Sequence, residues 1–356
     1  MTTTPRGPAA ILAAFENEPE SVLSGESLSA LLGVSRAQVW KHVEALRRRG
    51  YEIDGERGGG YRLVKRPDRL YSEEILNGLE TRWLARRIEH FDEIDSTNRI
   101  AFDLGREGAD AGTTVIAEAQ NAGRGRLGRR FYSPANLNLY TSILLRPRGS
   151  IAEAPTLILG AAVAVAETVA ATLGDEEAVE IKWPNDVLIR KRKTSGILME
   201  SSAEGTRIAF AVLGIGVNLN VDRADFPDDF RSLATSLSSE LGRPVDRVAF
   251  TRSLFENLER ILDVHARGGF EALRARFESF FRMRDSPIGV EELGGERIDG
   301  IARGIAPNGA LEIEVTAGPR SGEIVRVLAG DVTLAKPPPR SDSGASDGTR
   351  EQGVNS

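Results

Sequence analysis

Apolar residues recur with the spacing of helices over the first 66 residues. In VSRAQVWKHVEALRRRG, Val39, Val43 and Leu46 follow one another at i, i+4 and i+7, which places them on one helix face. Ser35 before this run and Gly50 after it are a typical N-cap and a typical C-terminal stop. Two shorter amphipathic runs, ILAAFEN and SLSALLG, precede it. YEIDGERGGGYRLV follows with the alternation and the glycines of a hairpin.

This order of three helices and a hairpin is typical of a winged helix-turn-helix, whose third helix enters the major groove of DNA. The residues expected to contact DNA are Ser35, Arg36, Ala37, Gln38, Lys41, Arg47 and Arg57. Trp40 lies near the same face and is expected either there or against the wing. The alternative is a helical hairpin that packs on the rest of the protein, with its arginines only solvated.

The pattern changes to mixed strands and helices over residues 67–285. Strands are predicted in TTVIAEAQ, LNLYTSILLRP, VEIKWPNDVLIRKRKTSGILMESS and RIAFAVLGIGVNLN. LILGAAVAVAETVAATLG predicts a buried helix, because Glu167 interrupts a run that is otherwise close to membrane-spanning length. RVAFTRSLFENLERILDVHARGGFEALRARFES predicts further helix with a break at Gly268 and Gly269. We therefore expect a central mixed α/β domain.

Short β segments replace this mixture from Ser286 to Leu334. Asn308-Gly309 between two alternating runs is a strong hairpin signal, and the region predicts a small SH3-like β-barrel within residues 286–336. Residues 337–356 are rich in Pro, Ser, Gly and Asp and are predicted to be disordered. The predicted fold class is α+β, with a winged helix-turn-helix in residues 1–66, the mixed domain and the barrel.

Composition narrows the chemistry. The 356 residues include no cysteine, which excludes disulfides and thiolate zinc sites. The three histidines, His42, His90 and His265, lie far apart, so a histidine metal site or triad is not expected. We see no signal peptide or membrane span and expect a cytoplasmic protein. A net charge of −6 restricts any nucleic-acid binding to a local basic patch.

The stretch NAGRGRLGRRF contains G-x-G-x-x-G, the fingerprint of dinucleotide binding. A helix must follow that fingerprint to hold the pyrophosphate, but Phe131, Tyr132 and Pro134 lead into a strand-like run. A Walker A loop would need Lys-Ser or Lys-Thr after Gly128, where the chain has arginines. What remains is a flexible loop of guanidiniums suited to carboxylates and phosphates, or else a charged surface turn.

Further motifs indicate a family. They are KWPND (residues 182–186), KTSGILME from Lys193, GIGVNLN (residues 214–220) and DSTN (residues 95–98), together with AQNAGRGRLGR. This set resembles the biotin protein ligases. With the N-terminal motif, the chain is similar to the bifunctional group, in which the ligase is also the repressor of the biotin operon. The resemblance runs from about residue 10 to residue 335 and implies a central domain of the class II synthetase-like biotin/lipoate ligase type.

The resemblance implies a two-step acyl transfer. Biotin and ATP react in the presence of Mg²⁺ to biotinyl-5′-AMP and pyrophosphate, and a lysine of biotin carboxyl carrier protein then takes the biotinyl group. Arg126 and Lys193 are the expected catalytic residues, because cations must offset the repulsion between a carboxylate and a polyphosphate. Asp186 is the expected Mg²⁺ contact.

The binding residues are carried over from the same motifs. For biotin the resemblance implies Ser96, Thr97, Asn98, Gln120, Arg124, Gly125, Arg126, Lys193 and Gly196, the last at the turn into a strand. For ATP it implies Arg126, Arg129, Trp183, Asn185, Asp186, Lys193, Asn218 and Arg303. Core packing is the alternative for Trp183, and an Asx-turn is the alternative for Asn98 and Asn185. Leu127 and Phe131 depart from the usual basic residue and tryptophan, so nucleotide affinity is expected to differ.

The resemblance also implies regulation. The adenylate is expected to act as co-repressor, ordering the Arg124–Arg129 loop and promoting a homodimer on operator DNA. The dimer would pair edge strands such as GILMESS and RIAFAVL, for which the carrier protein would compete. Three alternatives stay open: a sensor-repressor without catalysis, a ligase for another acid such as lipoate, and a ligase whose helix-turn-helix no longer binds DNA.

Overall fold

The computed structural model describes six segments of the chain: residues 7–18, 21–56, 59–147, 153–205, 207–292 and 295–334. Arg57 and the tail from residue 335 lie outside the described residues. The DNA contact predicted for the former and the disorder predicted for the latter therefore stay predictions.

The N-terminal region has the predicted order of elements. They are α1 (Pro8–Asn17), α2 (Gly25–Leu32), α3 (Arg36–Arg48), β1 (Glu52–Glu56) and β2 (Gly60–Lys65). Ser35 caps α3, since its hydroxyl accepts the Gln38 amide hydrogen at 3.2 Å. Gly33 ends α2 at φ 65°, a left-handed conformation that lets the chain turn sharply into α3. β1 and β2 pair antiparallel and form the wing.

A small core of its own holds this region together. The predicted α3 stripe of Val39, Val43 and Leu46 is fully buried against α1, the start of the wing and Tyr71 of the linker. The arrangement is a winged helix-turn-helix, as the hydrophobic pattern predicts.

The central region is one seven-stranded sheet covered by helices. Its strands are β3 (Ile88–Phe91), β4 (Thr114–Ala117), β5 (Leu139–Leu145), β6 (Val179–Lys182), β7 (Asp186–Ile189), β8 (Arg192–Glu204) and β9 (Arg207–Val217). Their order is β3-β4-β5-β9-β8-β7-β6, and every pair except β3–β4 is antiparallel. The helices are α4 (Ser72–Leu76), α5 (Thr97–Arg106), α6 (Ala154–Leu173), α7 (Leu237–Leu241), α8 (Arg247–Gly268) and α9 (Arg274–Phe280).

Helix α6 forms the centre of the large core. Of the described helices it alone is long and apolar enough to cross a membrane, but 72% of its apolar window is buried inside the protein. It packs beside α8 and beneath the sheet. The predicted buried helix is confirmed.

The strands predicted to pair across a dimer lie inside the sheet but have a free side over part of their length. GILMESS lies in β8 and RIAFAVL in β9, and both strands are interior in the sheet, whose edges are β3 and β6. β7 pairs with β8 only as far as Gly196, and β5 pairs with β9 only from Ala211 onward. Within the described chain, residues 198–204 of β8 therefore extend past β7 with no strand beside them on that side.

The C-terminal region is a five-stranded antiparallel sheet, which confirms the predicted β structure, while its closure into an SH3-like barrel stays a prediction. It contains β10 (Pro287–Glu292), β11 (Arg297–Ile305), β12 (Leu311–Val315), β13 (Ile324–Val327) and β14 (Gly330–Leu334) in the order β13-β12-β11-β10-β14. The predicted Asn308-Gly309 turn joins β11 to β12 and contacts the first turn of α6. Strand β14, at one edge of this sheet, contacts residues 123–130 of the central region, which we call the arginine loop.

A buried ion pair fastens the linker between the first two regions. Arg247 and Glu118 are 0% and 1% exposed and in contact at 2.9 Å. Arg247 also donates to the carboxylate and the carbonyl of Asp68, while Glu118 accepts the Leu70 amide hydrogen at 2.7 Å. The linker that carries the winged helix-turn-helix is thus hydrogen-bonded to a residue two positions from Gln120.

Candidate active site

The largest concentration of predicted site residues lies in a cavity over the centre of the sheet. Its floor is β5, β8 and β9, and its rim is the start of α5 and the arginine loop, residues 123–130. Glycines keep the floor open: a Cβ on Gly214 would lie 2.0 Å from Asn98 Oδ1, and one on Gly216 would lie 2.6 Å from the Phe131 ring.

The polar end of the cavity is a hydrogen-bond network that begins at the start of α5. The Thr97 amide donates to Gln120 Oε1 at 2.9 Å. Asn98 accepts from Ser142 at 2.6 Å and donates to Glu200 at 2.8 Å. These bonds hold the side chains in fixed orientations, which is what recognition of a small polar ring requires.

The arginine loop is a hairpin. The Gly125 amide donates to Arg129 O at 2.7 Å, and Arg124 and Arg130 form an antiparallel bridge. Leu127, at φ 56°, occupies the turn. The G-x-G-x-x-G spacing therefore closes a hairpin of guanidiniums and does not open a helix, which agrees with rejecting a Rossmann loop.

Each guanidinium of the loop has its own partner. Arg124 lies 3.8 Å from Glu200, and Arg126 donates to Asn185 Oδ1 at 3.2 Å. Arg126 also donates to Gly330 O at 3.3 Å, and Arg129 forms an ion pair with Asp331. The loop is therefore tied to β8, to the KWPND turn and to the C-terminal sheet.

The environment of the loop perturbs its titration. Burial holds the pKa of the Arg126 guanidinium below its ordinary value, against the pull of the Asp186 and Asp331 carboxylates. The hydrogen bond to Asp331 raises the pKa of Arg129. Burial alone would raise the pKa of Asp331, but Arg129 brings it below its ordinary value. Arg126 is thus the desolvated cation of the loop.

Lys193 and Asp186 face each other at the far side of the cavity. Lys193 Nζ lies 2.7 Å from Asp186 Oδ1, where β8 and β7 pair. Gly196 lies opposite Asp186 inside β8, so its predicted place at the turn before the strand is wrong. A Cβ there would lie 3.1 Å from Lys193 Nζ, which gives the glycine a steric reason.

The cavity therefore brings together most of the predicted residues. They are Ser96, Thr97, Asn98, Gln120, Arg124, Gly125, Arg126, Arg129, Asn185, Asp186, Lys193 and Gly196. A single surface that combines a rigid polar end with several cations can hold a neutral ring and a carboxylate next to phosphates.

Three predicted nucleotide contacts lie elsewhere. Trp183 is 1% exposed and donates its indole N–H to Gly309 O, so it fastens the C-terminal sheet to the core. Asn218 is buried and donates to Thr235 O at 3.1 Å. Arg303 forms ion pairs with Asp285 and Glu314. None of the three lines the cavity, and their nucleotide roles stay predictions.

Several residues of the site were not predicted. Asp331 lines the cavity and lies more than 200 positions after the loop it binds, while Glu200 of β8 and Ser142 of β5 orient Asn98. The only sequence signal for Glu200 is its place in the SGILME run. Ser142 and Asp331 carry no motif signal at all.

The predicted DNA-binding residues at the start of α3 and along it are either exposed or engaged within the domain. Arg36, Ala37 and Lys41 are exposed. Ser35 and Arg47 are engaged, the first in the helix cap and the second with Ile53 O and Glu44. Trp40 is 53% exposed.

Comparison with known proteins agrees with these two sites. The model of the biotin/lipoate A/B protein ligase family matches residues 90–218, and a helix-turn-helix domain model matches residues 9–62. The bifunctional ligase/repressor BirA of Bacillus subtilis is 36% identical over 320 residues, 90% of this chain and 96% of that protein. BirA of Escherichia coli is 32% identical over 311 residues, 87% and 92% of the two chains.

A solved structure matches as well. The biotin protein ligase of Aquifex aeolicus, in complex with biotin and ATP, superposes with a TM-score of 0.59 at 27% identity, covering 71% of this chain and all of that one. Taken with the helix-turn-helix and the cavity, these similarities show that the chain belongs to the biotin protein ligases, in the bifunctional ligase/repressor group.

Proposed function

We propose that the cavity binds biotin and ATP and joins them as biotinyl-5′-AMP. The observation that carries the proposal is the convergence of Arg124, Arg126 and Lys193 on a pocket whose other end is the Thr97–Gln120 network. That division suits biotin, which has a polar ureido ring at one end and a carboxylate at the other. The Aquifex ligase, described with biotin and ATP, supports the same pair of ligands.

The first step is an attack by a carboxylate oxygen of biotin on the α-phosphorus of ATP. A P–O bond forms to the carboxylate, and the bond to pyrophosphate breaks. Arg126 and Lys193 reduce the repulsion between the two anions and stabilise the added charge on the phosphorus. The partial burial of Arg126 strengthens this effect, because charge interactions grow as water is excluded.

The cavity supplies part of the ligand set that Mg²⁺ needs. Among the described residues no group of three or more His, Cys, Asp or Glu side chains forms a complete metal cage. Mg²⁺ commonly binds through one or two carboxylates and the phosphates of a nucleotide, and Asp186 lines the cavity with its carboxylate beside Lys193. Asp186 would hold the ion, which supplies neutralisation of the polyphosphate charge.

The second step transfers the biotinyl group to a lysine of biotin carboxyl carrier protein. The lysine amine attacks the acyl carbon, the bond to AMP breaks, and the amine loses a proton. The loop must leave this carbon open on one side. Arg124 and Arg129, exposed by 56% and 65%, suit a hairpin that moves to admit a partner.

Exchange of labelled pyrophosphate into ATP with Mg²⁺ tests the first step. We expect exchange with biotin and none with lipoate, octanoate or no acid. Exchange with lipoate in preference to biotin would make the protein a ligase for another acid. No exchange with any acid would favour the sensor-repressor alternative. Addition of carrier protein should then give a mass increase of one biotinyl group on one lysine.

We further propose that the protein represses transcription from DNA upstream of biotin genes. The exposed cations Arg36 and Lys41 on α3 support this second activity, together with the BirA relatives. A gel-shift assay on that DNA, with and without biotin and MgATP, tests it. A shift that requires the ligands supports a co-repressor role for the adenylate, and no shift supports a ligase that has lost DNA binding.

The adenylate-promoted homodimer is proposed to use β8. Residues 198–204 extend past β7, so their free backbone groups can pair with a second copy. Arg124 contacts Glu200 of this segment, which connects the loop that binds the adenylate to the proposed interface. Sedimentation of the protein with and without biotin and ATP tests the dimer, and an unchanged mass would remove the switch.

A further inference from the structure

The face of α3 that should meet DNA has fewer free side chains than its sequence suggests. The Ser35 hydroxyl is used by the helix cap. Gln38 Nε2 lies 3.2 Å from His42 Nε2, and Arg47 donates to Ile53 O and Glu44. These three side chains are engaged within the domain, so they are poorly placed to supply base recognition.

Trp40 is the large aromatic side chain of α3. It is the fifth residue after the cap, and it lies about a quarter turn from the buried stripe of Val39, Val43 and Leu46. The side chain is 53% exposed, and the ring makes no aromatic or cation–π contact with the described residues. Tryptophan is enriched among the residues that contribute most to binding interfaces, so we consider Trp40 as a contact for another molecule.

The charges around Trp40 indicate what kind of molecule. Arg36 precedes it by one helical turn on the same side of α3, while Lys41 and Arg48 lie further round the helix, and all three are exposed. None of these three cations has an ion pair or hydrogen bond through its side chain within the described chain. Glu44, the one carboxylate of α3, is held by Arg47. These features fit a partner that is anionic and also presents an apolar group.

The major groove of DNA meets both conditions, because phosphates line it and the thymine 5-methyl group projects into it. We infer that Trp40 is a specificity-determining residue that recognises a thymine methyl group in each half-site. This inference rests on the DNA binding proposed above and adds to it the base that is recognised. Arg36 and Lys41 then position the helix on the phosphates, and Trp40 selects the sequence.

The experiment begins with selection of bound duplexes from a random library, using the full chain with biotin and MgATP. Each thymine of the selected site is then replaced in turn by uracil, which removes only the methyl group. We expect one position in each half-site to weaken binding by the wild-type protein about fourfold, the value for one buried methyl-sized group. Trp40→Ala should bind that site more weakly and lose its sensitivity to the same replacement, while Trp40→Phe should keep part of it.

Ile324→Ala is the matched control, because it removes an exposed apolar side chain (61%) from the C-terminal sheet. It should respond to uracil as the wild type does. Equal sensitivity of the wild type and Trp40→Ala at every thymine would overturn the inference. So would a Trp40→Ala variant whose binding to random-sequence DNA falls as much as its binding to the selected site. A change in self-association in place of DNA affinity would make Trp40 a protein contact and would also overturn it.

Failure of this inference is distinct from failure of the repressor function. If the wild-type protein selects no sequence, DNA recognition and the role of Trp40 both fall. If it selects a sequence that Trp40→Ala binds equally well, only the role of Trp40 falls.

Discussion

The arginine loop and the exposed face of α3 are both basic, yet their cations are in opposite states. In the loop, Arg124 has Glu200 and Arg129 has Asp331 as a partner. On α3, the side chains of Arg36 and Lys41 contact no acceptor among the described residues. A cation held in place by a carboxylate can meet one ligand group in one geometry. Unpaired cations on a helix face suit a polyanion such as DNA, because its repeated phosphates allow binding at many positions along it.

The largest effect is expected from breaking the fully buried ion pair between Arg247 and Glu118. Glu118→Gln removes the buried carboxylate from the fully buried Arg247 and leaves it only the exposed Asp68, so we expect the free energy of unfolding to fall by about 3–5 kcal/mol. Urea unfolding at pH 7 measures it. Glu312→Gln, which breaks the exposed pair with Arg326, is the matched control and should cost less than about 1 kcal/mol. Equal losses would contradict the distinction between the two kinds of pair.

The pH dependence of stability tests the same pair without a mutation. Burial would raise the pKa of Glu118, but His90, Arg247 and the Leu70 amide bring it from 4.5 down to about 2. The folded pKa is the lower one, so this stabilisation is complete above about pH 4.5 and is lost as the pH falls toward 2. We expect a loss of about 3 kcal/mol from this group across that window. A Glu118→Gln protein whose stability falls equally steeply there would contradict the assignment.

Within the loop, Arg126→Ala should slow pyrophosphate exchange about a hundredfold, roughly 3 kcal/mol, because a desolvated cation is lost beside the reacting phosphate. Arg87→Ala is the control, since Arg87 is exposed and pairs only with Glu89 in the described chain. A change of less than threefold in Arg126→Ala would mean that the loop acts only in binding.

Breaking the ion pair between Arg129 of the loop and Asp331 of the C-terminal sheet should have a smaller effect. Asp331→Ala frees Arg129, which must then be ordered when ATP binds. An exposed pair contributes up to about 1 kcal/mol, so we expect the KM for ATP to rise about fivefold. Because the pKa of Asp331 lies below its ordinary value, this KM should not vary with pH between 5 and 8 through that group. A lower KM in Asp331→Ala would show instead that the carboxylate competes with phosphates for Arg129.

The free cations of α3 should show the smallest effect per residue. Arg36→Ala should reduce the slope of log affinity against log salt by about one in binding to random-sequence DNA. Arg87→Ala is again the control. An unchanged slope would mean that Arg36 contacts no phosphate.

The sequence predicts the local features of both regions well. The Ser35 cap and the Asn308-Gly309 hairpin each depend on neighbours a few positions away, and each is present in the structure. The distinction between the arginine loop and a nucleotide-binding helix is local as well, because it depends on the residues directly after Gly128.

The sequence could not predict contacts that depend on how distant segments meet. Asp331 reaches Arg129 across 202 positions, and its residue type in an alternating run carries no signal for that partner. Trp183 shows the converse. It belongs to the KWPND motif, from which a nucleotide contact was predicted, but in the structure it lies in the core beneath the C-terminal sheet. The free edge is confined to part of β8 and β9, because strand order and register are properties of the whole sheet.

The contact between Lys193 and Asp186 has a consequence for the lifetime of the enzyme. A biotinyl adenylate acylates any amine that reaches it with a free electron pair, and Lys193 is the one amine among the residues that line the cavity. Its nitrogen lies 2.7 Å from Asp186 Oδ1, so the ion pair holds this amine in place and hinders its approach to the acyl carbon. The pairing thus protects the catalyst from its own product. Asp186→Asn should accumulate a biotinyl group on Lys193 during turnover, and peptide mass spectrometry that finds none would contradict this role.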